Sequence, residues 1–207
     1  MHLLFVCTGN ICRSPTAERL TLAYSEAERD ALGGVLTARS AGTSAVVGRP
    51  MESSASLVLK GLGGTPDGFI ARQLAEEDVH AADLVFTMTR SHRAAVLQMA
   101  PRMMSRTFTL REAAALLRAA DGTLLAHEPD LDSRGRQLAA TLTRLRAARI
   151  VQRDRQRDDI TDPIGGDLEK FQRVGDAIAA SLLPLLGALS ANGVRHLEGG
   201  RSPAVSG

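Results

Sequence analysis

The sequence predicts an α/β fold in which helices cover both faces of a parallel sheet. Short apolar runs typical of buried strands alternate along the 207 residues with longer segments of helical periodicity, beginning with the run at residues 3–6. The chain is long enough to bury one sizeable core, and none of its apolar stretches reaches the roughly eighteen residues that cross a bilayer. We therefore expect one soluble domain without membrane insertion.

The individual elements follow from this alternation in chain order. Strands are expected at residues 3–6, 35–40, 83–88 and 105–109, and helices at residues 15–32, 51–62, 91–99, 110–119, 135–150 and 167–190. The buried face of the first helix is expected from residues at intervals of three and four, namely Leu20, Tyr24, Ala27 and Ala31. Thr109 and Glu112 predict a capping box at the start of the fourth helix, and Pro184 predicts a bend in the last one.

A cysteine and an arginine stand six positions apart directly after the first expected strand. A loop of this length can wrap around a tetrahedral oxyanion, with backbone N–H groups turned inward and the guanidinium of Arg13 closing the ring as a bidentate donor. Cys7 then lies at the bottom of the loop, where the same donors stabilise its thiolate, which is the nucleophilic form. The expected phosphate-binding residues are Thr8, Gly9, Asn10, Ile11, Cys12, Arg13 and Ser14.

The residues on either side of this loop favour the same interpretation. An apolar strand precedes it, Gly9 permits a tight turn, and Ser14 with Pro15 is a typical N-cap and first residue of a helix. A strand, loop and helix in this order direct the positive end of the helix dipole at the anion. A buried structural cysteine beside a surface arginine is the alternative, and it leaves this construction unexplained.

The loop sequence closely resembles the signature of the bacterial low-molecular-weight protein tyrosine phosphatases. Further matches follow in order at Ser40-Ala41-Gly42-Thr43, Ala71-Arg72-Gln73-Leu74, residues 83–88 and Asp162-Pro163, so that the resemblance covers about residues 1–110 and 158–190. It implies a flavodoxin-like three-layer sandwich whose four-stranded parallel sheet has the order 2-1-3-4. It also implies a single domain over residues 1–190 with an added helical insertion at about residues 111–160, followed by a Gly- and Ser-containing tail, residues 191–207, that we expect to be flexible.

The resemblance implies a role for each matching residue. Cys7 is the nucleophile, Arg13 binds the phosphate and the transition state, and Asp162 is the general acid. Asn10 shapes the loop, and Ser14 donates its hydroxyl to the Cys7 thiolate.

The chemistry of phosphate ester hydrolysis needs these functions. Attack by a thiolate releases an alkoxide or phenoxide that a carboxylic acid must protonate, and the same carboxyl can then deprotonate the water that hydrolyses the phosphocysteine. Asp162 has two rivals nearby, Asp158 and Asp159, and Asp-Pro pairs also commonly begin turns. The rigidity of Pro163 and the family's use of this dipeptide favour Asp162.

The chain departs from the family pattern around the expected substrate pocket. Members usually carry one aromatic wall after the Ser-Ala-Gly-Thr segment and another beyond the Asp-Pro, whereas this chain has Ala45, Val46 and Ile164 there. Phe69 replaces a histidine that supports the loop asparagine, and Thr89 replaces an aspartate. Aryl stacking is therefore lost, which leaves phosphotyrosine specificity open but not phosphatase chemistry.

The insertion is rich in arginine. Residues 134–157 contain eight arginines and a single acidic side chain, Asp154, with leucines at helical intervals at Leu138, Leu142 and Leu145. Two interpretations stay open: an electropositive arm that attracts acidic phosphorylated proteins, or the solvated face of an added helix. No aromatic residues interleave the arginines, so nucleic acid is not an expected partner.

The remaining composition limits cofactors and location. Both cysteines lie in the one loop, which indicates a reducing compartment and hence the cytoplasm. His80 and His92 lack partners at metal-ligand spacing and are expected at the surface or at helix ends, so no metal or cofactor is predicted. A monomer is favoured over a larger assembly.

Four functions compete for this sequence. The first is a phosphotyrosine-protein phosphatase whose substrate could be a tyrosine kinase, and the second is a phosphoarginine phosphatase of the same fold, which typically has Thr where Ile11 stands here. The third, a thiol-dependent arsenate reductase, needs downstream cysteines that are absent after Cys12. The fourth is a non-catalytic phosphoprotein-binding module, against which the intact Cys7, Arg13 and Asp162 argue. Ile11 favours the first.

Overall fold

The computed structural model describes residues 1–120, 128, 130–148 and 158–191. Within them, four parallel strands form one sheet in the order β2-β1-β3-β4, where β1 is His2–Cys7, β2 is Thr37–Gly42, β3 is Leu84–Thr87 and β4 is Thr107–Thr109. The helices are α1 Arg13–Ala27, α2 Arg29–Leu32, α3 Ser53–Gly61, α4 Glu76–Ala81, α5 Arg90–Met99, α6 Leu110–Arg118, α7 Leu131–Ala148 and α8 Leu168–Leu189, with a 3-10 helix at Pro101–Arg106. The expected flavodoxin-like sheet order is confirmed.

Alternate residues of β1 pack on opposite faces of the sheet and so separate two cores. Leu3 and Phe5 belong to the larger core, which α1, α3, α6, α7 and α8 cover. Leu4 and Val6 belong to the smaller core, which α4 and α5 cover. The sheet is therefore the middle of three layers, and the chain crosses from one side of β1 to the other between β2 and β3. The carboxyl end of β1 lies at this switch point, where such sheets bind ligands.

The second strand begins two residues later than expected. Val35 precedes β2 and is 76% exposed, although it is apolar. Pairing with β1 sets the register instead, with His2 opposite Thr37 and Cys7 opposite Gly42. Local composition could not predict this start, because the strand is defined by its partner.

The first expected helix is divided in two. Helix α1 ends at Ala27, which is exposed together with Glu28, and the short α2 ends at Gly33 with a left-handed φ of 58°. Ala27 and Ala31 therefore do not continue the buried face that Leu20 belongs to, and that part of the expectation is wrong. The chain instead returns to the core at Leu32, which is fully buried at the end of α2.

Two further boundaries differ from the expectation. Residues 101–106 form a 3-10 helix, so that the fourth strand is only Thr107–Thr109. Helix α4 was not anticipated, since it has six residues, buries Val79 alone and has as its N-cap Ala75, whose side chain cannot cap. In contrast, the capping box of α6 is confirmed, because Thr109 Oγ1 accepts from Glu112 N–H at 3.1 Å and the Glu112 carboxylate accepts from Thr109 N–H at 3.3 Å. Helix α8 continues through Pro184.

The arginines of α7 are used inside the protein. Arg134 is buried and donates hydrogen bonds to the carbonyl oxygens of Leu189, Glu128 and Leu32, which ties α7 to the ends of α8 and α2. Neither open interpretation of the Arg-rich segment is correct for this residue.

Arg146 is held in the same way by the neighbouring elements. It pairs with Glu112 at 3.0 Å, and its guanidinium lies 3.9 Å from the centre of the Phe108 ring. Arg136 and Arg144 are exposed on α7, and Arg149, Arg153, Arg155 and Arg157 lie outside the described residues. The described part of the segment therefore stabilises the packing of α7 more than it charges the surface.

None of the described helices is long and apolar enough to cross a membrane. All but the first residue of the expected tail lies outside the described residues.

Candidate active site

The loop between β1 and α1 is fixed by its own carbonyl groups. Four of its carbonyl oxygens accept N–H groups of the segment 43–52 at 2.8–3.0 Å, in the pairs Thr43 to Cys7, Ser44 to Thr8, Val46 to Gly9, and Glu52 to Ile11. In a trans peptide the C=O and the next N–H point in opposite directions. The N–H groups of residues 8, 9, 10 and 12 therefore face the inside of the loop, which is the arrangement that binds an oxyanion.

Gly42, at the end of β2, lets the loop lie against this segment. A Cβ atom at Gly42 would stand 2.3 Å from the carbonyl oxygen of Thr8, closer than atoms can approach. Any larger residue there would push the loop away, so the Ser-Ala-Gly-Thr match has a steric reason.

Asn10 makes the turn that Gly9 was expected to make. Among the described residues it is the one non-glycine residue with a positive φ, at 54°, whereas Gly9 has an ordinary backbone conformation. Its side chain compensates for this strain. The Asn10 amide donates to the hydroxyls of Ser14 at 2.9 Å and Ser40 at 2.8 Å, and its oxygen accepts from the backbone N–H of Arg72 at 2.9 Å. Asn10 thus connects the loop to β2 and to the segment before α4.

The Cys7 sulfur lies at the bottom of the loop. The residue as a whole is buried, with an exposed fraction of 2%. The hydroxyl oxygen of Ser14 is 2.9 Å from it, and the N–H of Asn10 donates to it at 3.3 Å. The sulfur therefore has a backbone N–H donor and a hydroxyl group within hydrogen-bond distance. The structure brings Cys7, Asn10 and Ser14 together, as the sequence predicts for their roles.

The expected capping role of Ser14 is wrong. Helix α1 begins at Arg13 with Cys12 as its N-cap, and no side chain caps it. Ser14 is inside the first turn, where its hydroxyl is directed at Cys7 and Asn10 instead. A Ser-Pro pair is typical of a helix start whether the serine caps the helix or lies inside its first turn. The local sequence therefore could not distinguish these two positions of Ser14.

Cys12 differs from Cys7 in its surroundings. Burial, and secondarily the negative charge of Glu52, raises the pKa of the Cys12 thiol above its usual value. Together with Thr16 and Phe171 it lines a small pocket between α1, α3 and α8. Cys12 is therefore a protonated thiol near neutral pH, and its contribution to anion binding is its backbone N–H.

Arg13 and Asp162 meet at the mouth of the loop. The Arg13 side chain is only 5% exposed, and its two terminal nitrogens donate to the Asp162 carboxylate and, at 3.1 Å, to the carbonyl oxygen of Ile160. The Asp162 side chain is 47% exposed and also accepts the N–H of Ile164 at 3.2 Å. A guanidinium has five N–H donors, so these two bonds leave others for an anion.

The two rival aspartates are placed differently. Asp159 accepts both the backbone N–H of Arg90 at 2.8 Å and its guanidinium at 3.0 Å. Burial alone would raise the pKa of Asp159, but the hydrogen bonds from Arg90 outweigh it and hold the pKa below its usual value. Asp158 is buried. Of the three, Asp162 is the carboxylate that is both exposed and in contact with Arg13.

The structure adds a residue that sequence reasoning missed. His92, in the first turn of α5, is 6% exposed, so the expectation of a helix end is correct but that of a surface position is not. Its Nε2 is 2.9 Å from the Thr8 hydroxyl and its Nδ1 is 2.8 Å from the Thr89 hydroxyl. The only sequence signal was the spacing of Thr89 and His92 at a helix start, which gives no indication of the contact with Thr8.

The mouth of the loop has aliphatic walls. Val46 is 45% exposed and Ile164 is 49% exposed, and a Cβ on Gly9 would contact both Val46 and Ile11 at 3.5–3.6 Å. Phe69 is buried under the guanidinium of Arg19, 5.5 Å away, and takes no part in the hydrogen bonds of Asn10. Val46 therefore lies beside the loop, and Ile164 follows Asp162 by two residues and binds its carboxylate through its backbone N–H.

Comparison with known proteins identifies the family. Residues 2–148 match the sequence profile described as "Low molecular weight phosphotyrosine protein phosphatase", a range that includes α6 and α7 and ends before Asp162. The low molecular weight protein-tyrosine-phosphatase Wzb of Salmonella typhi is 36% identical over 104 residues, which are 50% of this chain and 64% of that protein. The chain thus spans a little less than two thirds of that relative's length.

Two further relatives extend the comparison. A protein-arginine-phosphatase of Geobacillus stearothermophilus is 36% identical over 111 residues, which are 54% of this chain and 70% of that protein. The crystal structure of a low molecular weight protein tyrosine phosphatase from T. tengcongensis superposes with a TM-score of 0.64 and 29% identity, covering 90% of this chain and 97% of that one. With the sheet order, the loop geometry and the profile in agreement, this chain belongs to the low molecular weight phosphotyrosine protein phosphatase family.

Proposed function

We propose that this protein hydrolyses phosphate monoesters of proteins, foremost phosphotyrosine, through a phosphocysteine intermediate. The observation that carries the proposal is the position of the Cys7 sulfur at the bottom of a ring of inward-facing N–H groups, where it accepts a hydrogen bond from the Asn10 N–H and lies 2.9 Å from the Ser14 hydroxyl oxygen. A group that binds a phosphate in this ring has its phosphorus atom presented to the sulfur. Binding and nucleophilic attack therefore use the same site.

In the first half-reaction, Cys7 as thiolate attacks phosphorus while the ester P–O bond breaks. The loop N–H groups and the remaining N–H donors of Arg13 bind the equatorial oxygens, where negative charge is held in the transition state. Asp162, in its protonated form, gives its proton to the departing alkoxide or phenoxide. The products are the free alcohol and phosphocysteine.

In the second half-reaction, water attacks the phosphocysteine. Asp162, now ionised, takes the proton of that water, while the S–P bond breaks and Cys7 leaves as thiolate. The hydroxyl of Ser14, 2.9 Å from the sulfur, is placed to donate to the leaving thiolate. Inorganic phosphate then dissociates, and Asp162 is protonated for the next cycle.

Phosphorylated protein is the proposed substrate, and a tyrosine kinase is a candidate partner. The relatives named as protein-tyrosine-phosphatases and the loop residue Ile11 favour phosphotyrosine. Val46 and Ile164 offer aliphatic contacts to a ring, without stacking. Both cysteines are free, which agrees with the cytoplasmic location that we propose.

Phosphoarginine is the second candidate substrate. Two observations favour it: the relative named as a protein-arginine-phosphatase, and the aliphatic mouth, which has no aromatic wall for a phenol ring. Asp162 at this mouth could also accept hydrogen bonds from the guanidinium part of phosphoarginine.

Parallel kinetics decide between these candidates. We would measure kcat/KM on one peptide sequence carrying phosphotyrosine, phosphoarginine or phosphoserine, with the Cys7→Ser variant as a control. A preference of at least about tenfold, or about 1.4 kcal/mol, for phosphotyrosine supports the first candidate, and the reverse preference supports the second. No hydrolysis of any peptide by a protein that binds inorganic phosphate would show a binding module and overturn the proposal.

Exchange of a wall residue sharpens the assignment. Ile164→Tyr should lower KM for the phosphotyrosine peptide, because it restores a ring at the mouth. Leu183→Tyr, at a similarly exposed position on α8, is the matched control and should leave KM unchanged.

A further inference from the structure

One short segment contacts both loops of the candidate site. The segment of residues 88–92, which we call the bridging turn, runs from the end of β3 into the first turn of α5. On one side it contacts the phosphate-binding loop, residues 7–14, and on the other side the acid loop, residues 158–163. The two loops are more than 140 positions apart in the chain.

His92 forms the contact with the phosphate-binding loop. Its imidazole connects the hydroxyl of Thr89 at 2.8 Å to the hydroxyl of Thr8 at 2.9 Å, and the ring is buried while Thr8 is exposed. Thr89 also accepts the backbone N–H of His92 at 3.3 Å, which caps α5 and fixes the histidine's own helix turn. The imidazole is therefore held on a rigid element and directed at the first residue after the nucleophile.

The protonation state of His92 suits this contact. Burial, and next the positive charge of Arg13, lowers the pKa of His92 to about 4, although Asp162 and Asp159 act in the opposite direction. The ring is therefore neutral at neutral pH and has one donor and one acceptor nitrogen. Each ring nitrogen faces a hydroxyl group, and a hydroxyl can either donate a hydrogen bond to a nitrogen or accept one from it.

The bridging turn contacts the acid loop through backbone and side chain together. The carbonyl oxygen of Met88 accepts the N–H of Ile160 at 2.8 Å, and Arg90 binds the Asp159 carboxylate through its backbone N–H and its guanidinium. Ile160 and Asp159 precede Asp162 by two and three residues. The position of Asp162 therefore depends on these bonds as well as on Arg13.

We propose that His92 and Arg90 are positioning residues of the two half-sites, His92 through the Thr8 hydroxyl and Arg90 through Asp159, so that the bridging turn sets the distance between nucleophile and acid. This inference rests on the proposed phosphatase function. Neither side chain is required to touch the substrate. We call the contact of His92 with Thr8 the His92 arm and that of Arg90 with Asp159 the Arg90 arm. Loss of the His92 arm should weaken anion binding and turnover together, whereas loss of the Arg90 arm should impair protonation of the leaving group.

The His92 arm is tested with two variants that each keep one contact. A glutamine amide can stand near the place of Nε2 and an asparagine amide near that of Nδ1, so that His92→Gln keeps the Thr8 contact and His92→Asn keeps the Thr89 contact. We expect His92→Asn to weaken inorganic phosphate binding, measured calorimetrically, and kcat/KM by about 3- to 10-fold each, as for one lost hydrogen bond. His92→Gln should stay within about twofold of wild type. His80→Asn, at an exposed position on α4, is the control and should change neither quantity.

A double-mutant cycle shows whether Thr8 transmits the effect. Thr8→Val keeps the side-chain shape and removes the hydroxyl at an exposed position, so the variant should fold. It should cause the same loss as His92→Asn, and the two together should cause no further loss. Equal losses for His92→Asn and His92→Gln, or losses that multiply in the double variant, would overturn the role of His92.

The Arg90 arm is tested by leaving-group dependence. Arg90→Met removes the guanidinium and leaves the backbone N–H on Asp159. We expect kcat for phenyl phosphate to fall about 3- to 10-fold more than kcat for p-nitrophenyl phosphate, whose leaving group needs little protonation, with phosphate affinity unchanged. In an Asp162→Asn background the effect should vanish. Arg173→Met, at an exposed i,i+4 pair on α8, is the matched control. A loss independent of the leaving group, or one that persists without Asp162, contradicts the role of Arg90.

These measurements separate the inference from the proposed function. If wild type turns over aryl phosphates and the variants behave like wild type, the inference alone fails. If wild type binds phosphate but hydrolyses no substrate, the proposed function and the Arg90 arm fail, while the phosphate affinities of the His92 and Thr8 variants still decide the His92 arm.

Discussion

The phosphate-binding loop and the acid loop are held by different kinds of contact. The first is mostly buried and is fixed by bonds within residues 7–14 and to the adjacent segment 43–52. The acid loop is held by bonds to elements distant in the chain: Ile160 binds Met88 and Arg13, the Asp159 carboxylate binds Arg90, and the Asp159 carbonyl accepts from Arg111 at 3.3 Å. Its functional carboxylate, Asp162, is half exposed.

The two loops therefore differ in how much displacement of their functional groups they tolerate. An anion site made of backbone N–H groups must be rigid, because each donor has to point at one small volume. An acid that serves first a leaving group and then a water can be held more loosely. Apart from exchange of the nucleophilic sulfur itself, we expect substitutions in the phosphate-binding loop to affect binding, turnover and stability together, and those in the acid loop to affect turnover selectively.

The largest effect is expected at the nucleophile. Cys7→Ser should reduce turnover of an aryl phosphate by more than about a thousandfold, because a serine hydroxyl in the same place remains protonated near neutral pH. Inorganic phosphate should still bind, since the backbone donors are unchanged. Steady-state kinetics and calorimetry measure the two effects. Retention of more than a few per cent of activity would show that Cys7 is not the nucleophile.

Arg13→Lys should be next in size and tests the junction of the two loops. A lysine keeps the charge but cannot bind Asp162, the Ile160 carbonyl and the equatorial oxygens with one planar group, so kcat should fall about 100- to 1000-fold. Phosphate affinity should also fall. Arg19→Lys, on the same helix and over the ring of Phe69, is the comparison variant. An Arg13→Lys variant with near wild-type kcat would remove Arg13 from the transition state.

Asp162→Asn is expected to act on turnover alone. For substrates with poor leaving groups kcat should fall about 100-fold or more, whereas formation of the phosphoenzyme from p-nitrophenyl phosphate should suffer less. Pre-steady-state release of nitrophenolate measures that step. Equal losses for all leaving groups would exclude Asp162 as the acid and make Asp159 the next residue to substitute.

Asn10 allows a smaller, structural test of the rigid loop. Asn10→Gly loses the three side-chain hydrogen bonds but adopts the left-handed backbone conformation without strain. Asn10→Ala loses the same bonds and is strained in that conformation. We expect the alanine variant to lose about 1 kcal/mol more unfolding free energy than the glycine variant. Urea denaturation of both variants measures the difference. If glycine is the more destabilising substitution, backbone strain does not limit this position.

The smallest effect concerns the pH dependence of stability through His92. Because its pKa is lowered from 6.5 to about 4 in the folded protein, the unfolded chain binds a proton between these values that the folded chain does not. The free energy of unfolding should therefore fall as pH decreases from about 6.5 to 4. His92→Gln should flatten this part of the profile in urea denaturation at a series of pH values. An unchanged slope would mean that His92 protonates freely in the folded protein.

Much of the molecule follows from the sequence by itself. The strand-loop-helix with Cys7 and Arg13 is local, since seven successive residues define both the turn and its chemistry. The alternation of apolar runs and helical periods likewise predicts the sheet and most helices, because the hydrophobic periodicity that defines each element lies within that element's own residues. The Thr109 and Glu112 capping box was predictable for the same reason.

The tertiary structure determines those features that depend on residues far away in the chain. The start of β2 is set by its register with β1, the buried arginines of α7 by carbonyl and aromatic groups of other elements, and the use of Ser14 by the sulfur of Cys7. The contact of His92 with Thr8 and that of Arg90 with Asp159 join positions 84 and 69 residues apart. The sequence alone determined the phosphate-binding loop because its donors lie within one short stretch of chain, whereas the position of the acid relative to that loop came from folding, which brings distant side chains within hydrogen-bond distance.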